Sequence, residues 1–205
     1  IALIFVNTNL AAASGAVLAM ITCWVRFGKP EVGMSLNGAL AGLVAITSPC
    51  ATVTPLSAVI IGSAAGILVV LSVLFWDKIK VDDPVGAISV HGVCGAWGTL
   101  AAGIFNIGGT SLKIIGVQLL GIGACFLWVF PTAFLMFKLI DKTVGLRVSP
   151  EDEMEGLDLA EHGGNAYPDF GISSYRGVGF AGRPPGPPSG ATGEPVGQLK
   201  PVEQN

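Results

Sequence analysis

One histidine lies inside a long apolar stretch, and its imidazole is the side chain best suited to chemistry in this sequence. Between residues 84 and 112, His91 is the only side chain that can become positively charged. Imidazole gains or loses a proton near neutral pH, and ionisable residues in apolar segments usually line a conduction path or relay protons. We therefore expect His91 to face a pore. The alternative is a structural histidine that donates a hydrogen bond to a neighbouring helix.

Small residues surround His91 at helical spacing. If residues 85–105 form a regular α-helix, four of them share its face, at i−4, i+4, i+7 and i+11. They are Ala87, Gly95, Gly98 and Ala102. The pattern predicts a narrow face without bulky groups, on which Ala87, Gly95 and Gly98 pack around the pore.

Other reactive side chains are too sparse for a metal site or an active site. Cys94 follows His91 at i+3, but two ligands are too few for zinc. Ser14-Gly15 lacks the glycine that precedes the serine of a nucleophile elbow, and the four cysteines are scattered singly. We expect no metal, no cofactor and no enzymatic activity.

The composition is that of a membrane protein. Only 12% of the residues are charged, where a soluble domain has about a quarter, and mean hydropathy is +0.68. The formal net charge is −3. Because no basic block occurs, the sequence gives no indication of nucleic-acid binding, and the expected surroundings are a lipid bilayer.

Uncharged stretches long enough to cross a bilayer occur throughout the first 140 residues, and a span needs about 20 apolar residues. The stretch 32–76 is too long for one helix and contains Pro49 and Pro55, which break the helical ladder. The sequence therefore predicts an all-α membrane protein with five transmembrane helices. Their expected ranges are 2–25, 33–48, 56–76, 85–105 and 113–138.

The distribution of lysine and arginine predicts the orientation. Seven basic residues flank one side of the predicted helices and Lys113 alone flanks the other. Basic residues are retained on the cytoplasmic side, so residue 1 is expected outside and the carboxyl end in the cytoplasm. The seven are Arg26, Lys29, Lys78, Lys80, Lys138, Lys142 and Arg147.

Local patterns predict how the helices pack and where one of them begins. Glycines four residues apart occur at 38 and 42 and again at 62 and 66, a spacing that lets helix backbones approach closely. Asp83 precedes Pro84 directly, which predicts a helix start with Pro84 in the first turn and the carboxylate at its amino end.

The composition changes after the last predicted helix. Residues 1–144 form the membrane region, 145–170 are expected to form a cytoplasmic tail with an acidic stretch, and 171–205 are rich in proline and glycine, which predicts disorder. The sequence begins with Ile1 inside an apolar stretch and lacks a signal-peptide pattern. We expect it to be the later part of a longer polypeptide.

Several segments together resemble the second half of the ammonium transporter family (Amt/Mep/Rh), over residues 1–168. Their order and separations make the resemblance specific. The segments are Val81–Pro84, Ser89–Gly95, Gly103–Phe105, Thr143–Val148, Gly156–Asp158, Glu161–Gly163 and Ala166–Tyr167.

The resemblance implies transport of ammonium or ammonia across the cytoplasmic membrane. In the family, eleven helices form a protomer of a homotrimer, and one path runs through each protomer between two inverted five-helix repeats. This chain would supply helices seven to eleven. The amino-terminal half, which would contribute the other repeat, is expected to be missing from it.

The resemblance also implies roles for two residues of the path. His91 matches the second of two histidines that line the family's dry pore. Thr47 resembles a threonine at the external end of the path, although residues 48–51 depart from the glycine-rich continuation that usually follows it. The alternative for Thr47 is a helix-end hydroxyl that bonds to a backbone carbonyl.

In the tail, the resemblance implies a cytoplasmic element that regulates conduction together with signalling proteins of the PII class. The alternative is a solvated acidic linker. The matching residues are Gly145, Arg147, Asp158, His162 and Tyr167.

Two related functions compete with ammonium transport. An Rh-type gas channel shares the histidine and the repeat, but the tail segments favour the Amt side of the family. An ammonium sensor would join the same membrane unit to a signalling domain, and the residues after Phe170 are too few and too rich in proline and glycine for one.

Overall fold

The structure is a computed structural model, and it describes residues 1–164. They belong to two compact units, Ile1–Lys142 and a second unit that begins at Thr143. Throughout the described residues the regular secondary structure is helical, so the predicted all-α class is confirmed. Tyr167 and the segment 171–205, predicted to be disordered, lie outside the described residues.

The first unit contains five helical regions in sequence. The fourth is composite, since a π-helical turn precedes its α-helix. The helices are α1 (Ala2–Phe27), α2 (Val32–Thr47), α3 (Pro55–Lys78), the π turn (Ile88–Val93) with α4 (Cys94–Ile104), and α5 (Leu112–Thr143).

Three of these helices are long and apolar enough to cross a bilayer, namely α1, α3 and α5. Helix α2 and the segment Ile88–Ile104 are apolar but shorter. Apolar helices with so few charges fit the membrane assignment that the composition predicts.

Glycines bring the backbones of α1, α2 and α3 into direct contact. Gly15 of α1 lies against Gly38 and Gly42 on one side and against Gly66 on the other. A Cβ on Gly66 would overlap the carbonyl oxygen of Gly15. The glycine pairs therefore act as the sequence predicts, because only residues without a side chain permit this approach.

Side-chain hydrogen bonds join separate elements of the first unit. Asn7 is fully buried, and its Nδ2 donates to the carbonyls of Cys50 and Val53, at 2.9 Å each. This ties α1 to the turn that follows α2. The indole N–H of Trp97 donates to the Ile61 carbonyl at 3.1 Å and ties α4 to α3.

Helix α5 stands apart from the other four. None of its side chains is buried, although its first turn reaches the end of α4, where a Cβ on Gly103 would lie 2.8 Å from Cγ1 of Ile115. Large apolar side chains along its length are exposed. Exposed apolar surface of this extent marks a face that lipid or other helices cover.

The second unit contains two short helices, α6 (Pro150–Glu155) and α7 (Leu157–His162). The Ser149 hydroxyl oxygen caps α6 by accepting the backbone N–H of Asp152 at 3.1 Å. Between the two helices, Gly156 has a φ of 102°, which glycine adopts without strain. The acidic stretch thus contains two short helices separated by Gly156.

Candidate functional site

The helix that carries His91 begins later than the sequence predicts. Pro84 lies in a turn, and Gly86 has a φ of 71°, so the chain reverses before helical structure starts. Asp83 nevertheless caps the helix. Its carboxylate accepts the backbone N–H groups of Ile88 at 2.9 Å and Ser89 at 3.1 Å, and also the Ser89 hydroxyl at 3.1 Å.

The first turn is a π turn, and this changes the face on which His91 lies. The N–H of Cys94 donates to the carbonyl of Ser89, five residues earlier, where an α-helix bonds four residues apart. A π turn therefore holds one extra residue. Each residue adds about 100° of rotation around the helix axis. The extra residue therefore shifts the side chains beyond the turn by one position around the axis relative to His91.

The expectation that His91 shares a face with Gly98 and Ala102 is not met for this reason. Gly98 is buried against α2, where a Cβ would overlap the carbonyl oxygen of Ala45, and Ala102 is also buried. Thr99, one position further along, lies on the His91 side instead. Ala87 is exposed just before the π turn.

His91 opens onto a cleft between α4 and α5 with a volume of about 800 Å³. Besides Ile88, the wall that carries His91 consists of small residues, namely Gly92, Gly95, Ala96 and Thr99. The opposite wall is aromatic and comes from α5. Its rings belong to Phe126, Phe130, Phe134 and Phe137, and the first two stack with centroids 5.4 Å apart.

The cleft is therefore an apolar space with one imidazole. His91 is exposed to it, and the imidazole has both a donor and an acceptor nitrogen when neutral. Gly95 completes the small wall and also approaches α2, since a Cβ there would lie 3.6 Å from Cγ1 of Val44. Such a surface can admit a small polar solute beside the ring.

Thr47 is not among the residues that line this cleft. It is exposed as the last residue of α2, and its hydroxyl donates to the carbonyl of Leu43 at 2.8 Å. This is the hydrogen bond that the helix-end interpretation requires. A role for Thr47 at the outer end of a path stays a prediction.

The predicted tail residues lie in the second unit. Gly145 has a φ of 86° and Arg147 is exposed. Asp158 and His162 belong to α7, and the N–H of Gly164 donates to the Asp158 carbonyl at 3.3 Å. Their regulatory role stays a prediction.

Residues 1–164 contain no group of three or more histidine, cysteine, aspartate or glutamate side chains that could hold a metal ion.

Two features of the cleft were missed by sequence reasoning. The phenylalanines of α5 recur at i, i+4, i+8 and i+11, which is a readable signal for one helical face. The π turn has no comparable signal.

Known proteins resemble this chain over most of its length. Residues 1–167 match the Ammonium Transporter Family. Ammonium transporter Amt2 of Archaeoglobus fulgidus is 48% identical over 83% of this chain and 40% of the relative. Ammonium transporter Amt1 of Haloferax mediterranei is 41% identical over 84% of this chain and 34% of the relative.

Solved structures agree with these relatives. The structure of a protein named Sensor Amt Protein superposes with a TM-score of 0.73 and 42% identity, over 78% of this chain and 42% of the other. Mep2 of Saccharomyces cerevisiae gives a TM-score of 0.66 and 30% identity, over 73% and 37% respectively. The chain thus spans about 40% of the length of Ammonium transporter Amt2 of Archaeoglobus fulgidus. By sequence and by fold, the chain belongs to the Ammonium Transporter Family.

Proposed function

We propose that this chain contributes to a transport path for ammonium or ammonia across the cytoplasmic membrane, and that His91 lines the path. The observation that carries the proposal is the position of the imidazole on the small-residue wall of an apolar cleft. Relatives named ammonium transporters support the choice of substrate.

The chemistry of the cleft fits this substrate. An ammonium ion loses a large hydration energy in an apolar space, whereas neutral ammonia loses far less. The imidazole of His91 can accept a hydrogen bond from ammonia or receive a proton from ammonium. The small side chains beside it leave room for a solute of this size, and the phenylalanines opposite make the other wall apolar.

A closed path requires more surface than the described helices supply. The cleft is open, and α5 buries none of its side chains. We infer that helices of an inverted amino-terminal repeat cover this side, in a protomer with eleven helices. In that arrangement all five helical regions of the first unit span the membrane, and three protomers form the homotrimer that the family resemblance implies.

The orientation and the tail complete the proposal. Seven basic residues on one side support a cytoplasmic carboxyl end. Residues 145–170 would then lie in the cytoplasm, where Gly145, Arg147, Asp158, His162 and Tyr167 contribute to an element that regulates conduction and meets a PII-class protein.

The test is uptake by the natural full-length protein in a host without ammonium transporters. His91→Ala should reduce ammonium uptake by roughly tenfold or more, the factor for losing one strong hydrogen bond. The matched control is Asn9→Ala, because Asn9 is exposed on α1 and bonds within its own helix, to the Phe5 carbonyl at 2.8 Å.

The outcomes distinguish the related functions. Uptake that depends on His91 and not on Asn9 supports transport through the cleft. Ammonium binding without uptake would support a sensor, which is what the name of one structural relative says of that protein. Passage of neutral gases without selective ammonium uptake would support an Rh-type channel. Equal uptake by both variants would contradict the role of His91.

A further inference from the structure

Asp83 holds the beginning of the His91 helix through three hydrogen bonds. All three end on Ile88 and Ser89, the two residues that open the π turn. Ser89 is 0% exposed, so its two hydrogen bonds to Asp83 are shielded from water. Hydrogen bonds to a carboxylate are stronger than neutral ones, and shielding strengthens them further.

The π turn determines the direction in which His91 points. In an uninterrupted α-helix, His91 would lie within about 20° of Gly98 and Ala102, on the side of the helix that is buried in the structure. At Gly98 on that side, even a Cβ would overlap the carbonyl oxygen of Ala45 on α2. With the extra residue, His91 lies on the same side as Ala96 and Thr99 and reaches the cleft.

We propose that Asp83 is a positioning residue, which holds the π turn and thereby directs the His91 imidazole into the cleft. A π turn is rare compared with a regular α-helical turn, and such turns are frequent at functional sites. Without the three hydrogen bonds the turn relaxes toward α-helical geometry and His91 rotates out of the cleft. The inference rests on the proposed function only in the role given to His91.

Thiol labelling measures this rotation directly. In the natural full-length protein, the substitution His91→Cys places a thiol in the cleft, and Cys125→Ala removes the native thiol that lines the same space. Membranes are treated with a small methanethiosulfonate reagent, and labelling at position 91 is quantified by mass spectrometry. Adding Asp83→Ala should slow this labelling by roughly tenfold, as expected for the loss of a charge-assisted hydrogen bond.

Graded variants separate the carboxylate from general damage to the turn. Ser89→Ala removes one of the three hydrogen bonds and should slow labelling less than Asp83→Ala. Asp83→Asn keeps one acceptor oxygen and should be intermediate. The matched control is Asp82→Ala, which removes the exposed neighbouring carboxylate and leaves all three bonds to Asp83 in place. It should label at the parental rate.

A double-mutant comparison shows whether Asp83 acts through His91. In the protein with His91 intact, Asp83→Ala should lower maximal ammonium uptake at equal membrane yield. In the His91→Ala background the same substitution should have no further effect. A purely structural role predicts equal losses in both backgrounds.

Unchanged labelling in folded Asp83→Ala protein overturns the inference. If that variant does not fold, unchanged labelling in both Ser89→Ala and Asp83→Asn overturns it instead. Labelling requires no transport, so the experiment still decides the inference if the natural protein moves no ammonium and the proposed function fails.

Discussion

The carbonyl oxygen of Gly15 on α1 occupies the space that a methyl group on Gly66 of α3 would need. The same residue of α1 meets Gly38 and Gly42 of α2. Three helices therefore meet at one glycine, with backbone against backbone. Dispersion contacts between the helices are densest where no side chain separates them.

Gly66→Ala should destabilise this contact. The added methyl group forces α1 and α3 apart, and overpacking of this kind typically costs about 1–3 kcal/mol. The measurement is the thermal stability of the detergent-solubilised protein by size-exclusion chromatography. Gly123→Ala is the control, because nothing in the described structure lies within 4 Å of a Cβ there. Equal stability of the two variants would contradict the packing argument.

Asn7→Ala should loosen the turn between α2 and α3. It leaves the carbonyls of Cys50 and Val53 without their side-chain donor, and an unsatisfied buried group costs about 1–3 kcal/mol. Proteolysis of the turn in membranes is the measurement. The control is Asn9→Ala, a substitution on the same helix, and the protease should cut this variant at the parental rate. Similar cutting of the two variants would exclude an anchoring role for Asn7.

His91→Ala should leave the fold intact. The imidazole is exposed in the cleft, and exposed substitutions usually change stability by less than about 0.5 kcal/mol. Membrane yield and thermal stability measured on the preparation used for uptake provide the check. A strong loss of yield would instead favour the structural-histidine interpretation.

The 205-residue chain expressed alone should conduct nothing, because its cleft is open along α5. A path between two inverted repeats needs both of them. Complementation of a transporter-deficient host provides the measurement, with the natural full-length protein as the positive control. Growth on low ammonium with this chain alone would show that the described helices suffice.

Truncation of the tail should have different effects at two positions. Deletion from Gly145 onward removes α6 and α7 and should impair or deregulate uptake, whereas deletion from position 171 onward should change it little. Coupling is expected because the tail continues directly from α5 and can bias the arrangement of protomers. Uptake and its response to nitrogen status are measured for both. If neither deletion changes them, the tail is a passive linker.

Much of the fold could be predicted from the sequence because charges and prolines mark where apolar helices stop. Pro49 and Pro55 separate α2 from α3, and the helices begin and end within five residues of their predicted limits. The glycine pairs also indicated the close contact of α1 with its neighbours, since their spacing alone defines a smooth helical face.

The geometry around His91 could not be predicted in the same way. Assigning faces at 3.6 residues per turn assumes a regular helix, and the π turn breaks that assumption. Its geometry depends on hydrogen bonds that the Asp83 carboxylate accepts from residues five and six positions later, and no sequence periodicity indicates such bonds. The Asp83-Pro84 pattern correctly indicated a carboxylate cap but placed the helix start too early.

The contrast between the glycine contact and the exposed α5 has a consequence for biogenesis. Helices α1, α2 and α3 follow one another along the chain, so they can pack as soon as the third leaves the ribosome. Helix α5 is made later and buries none of its side chains against them. Until other helices or lipid cover it, the phenylalanine-rich face of α5 is therefore exposed apolar surface that membrane chaperones and quality-control proteases can bind.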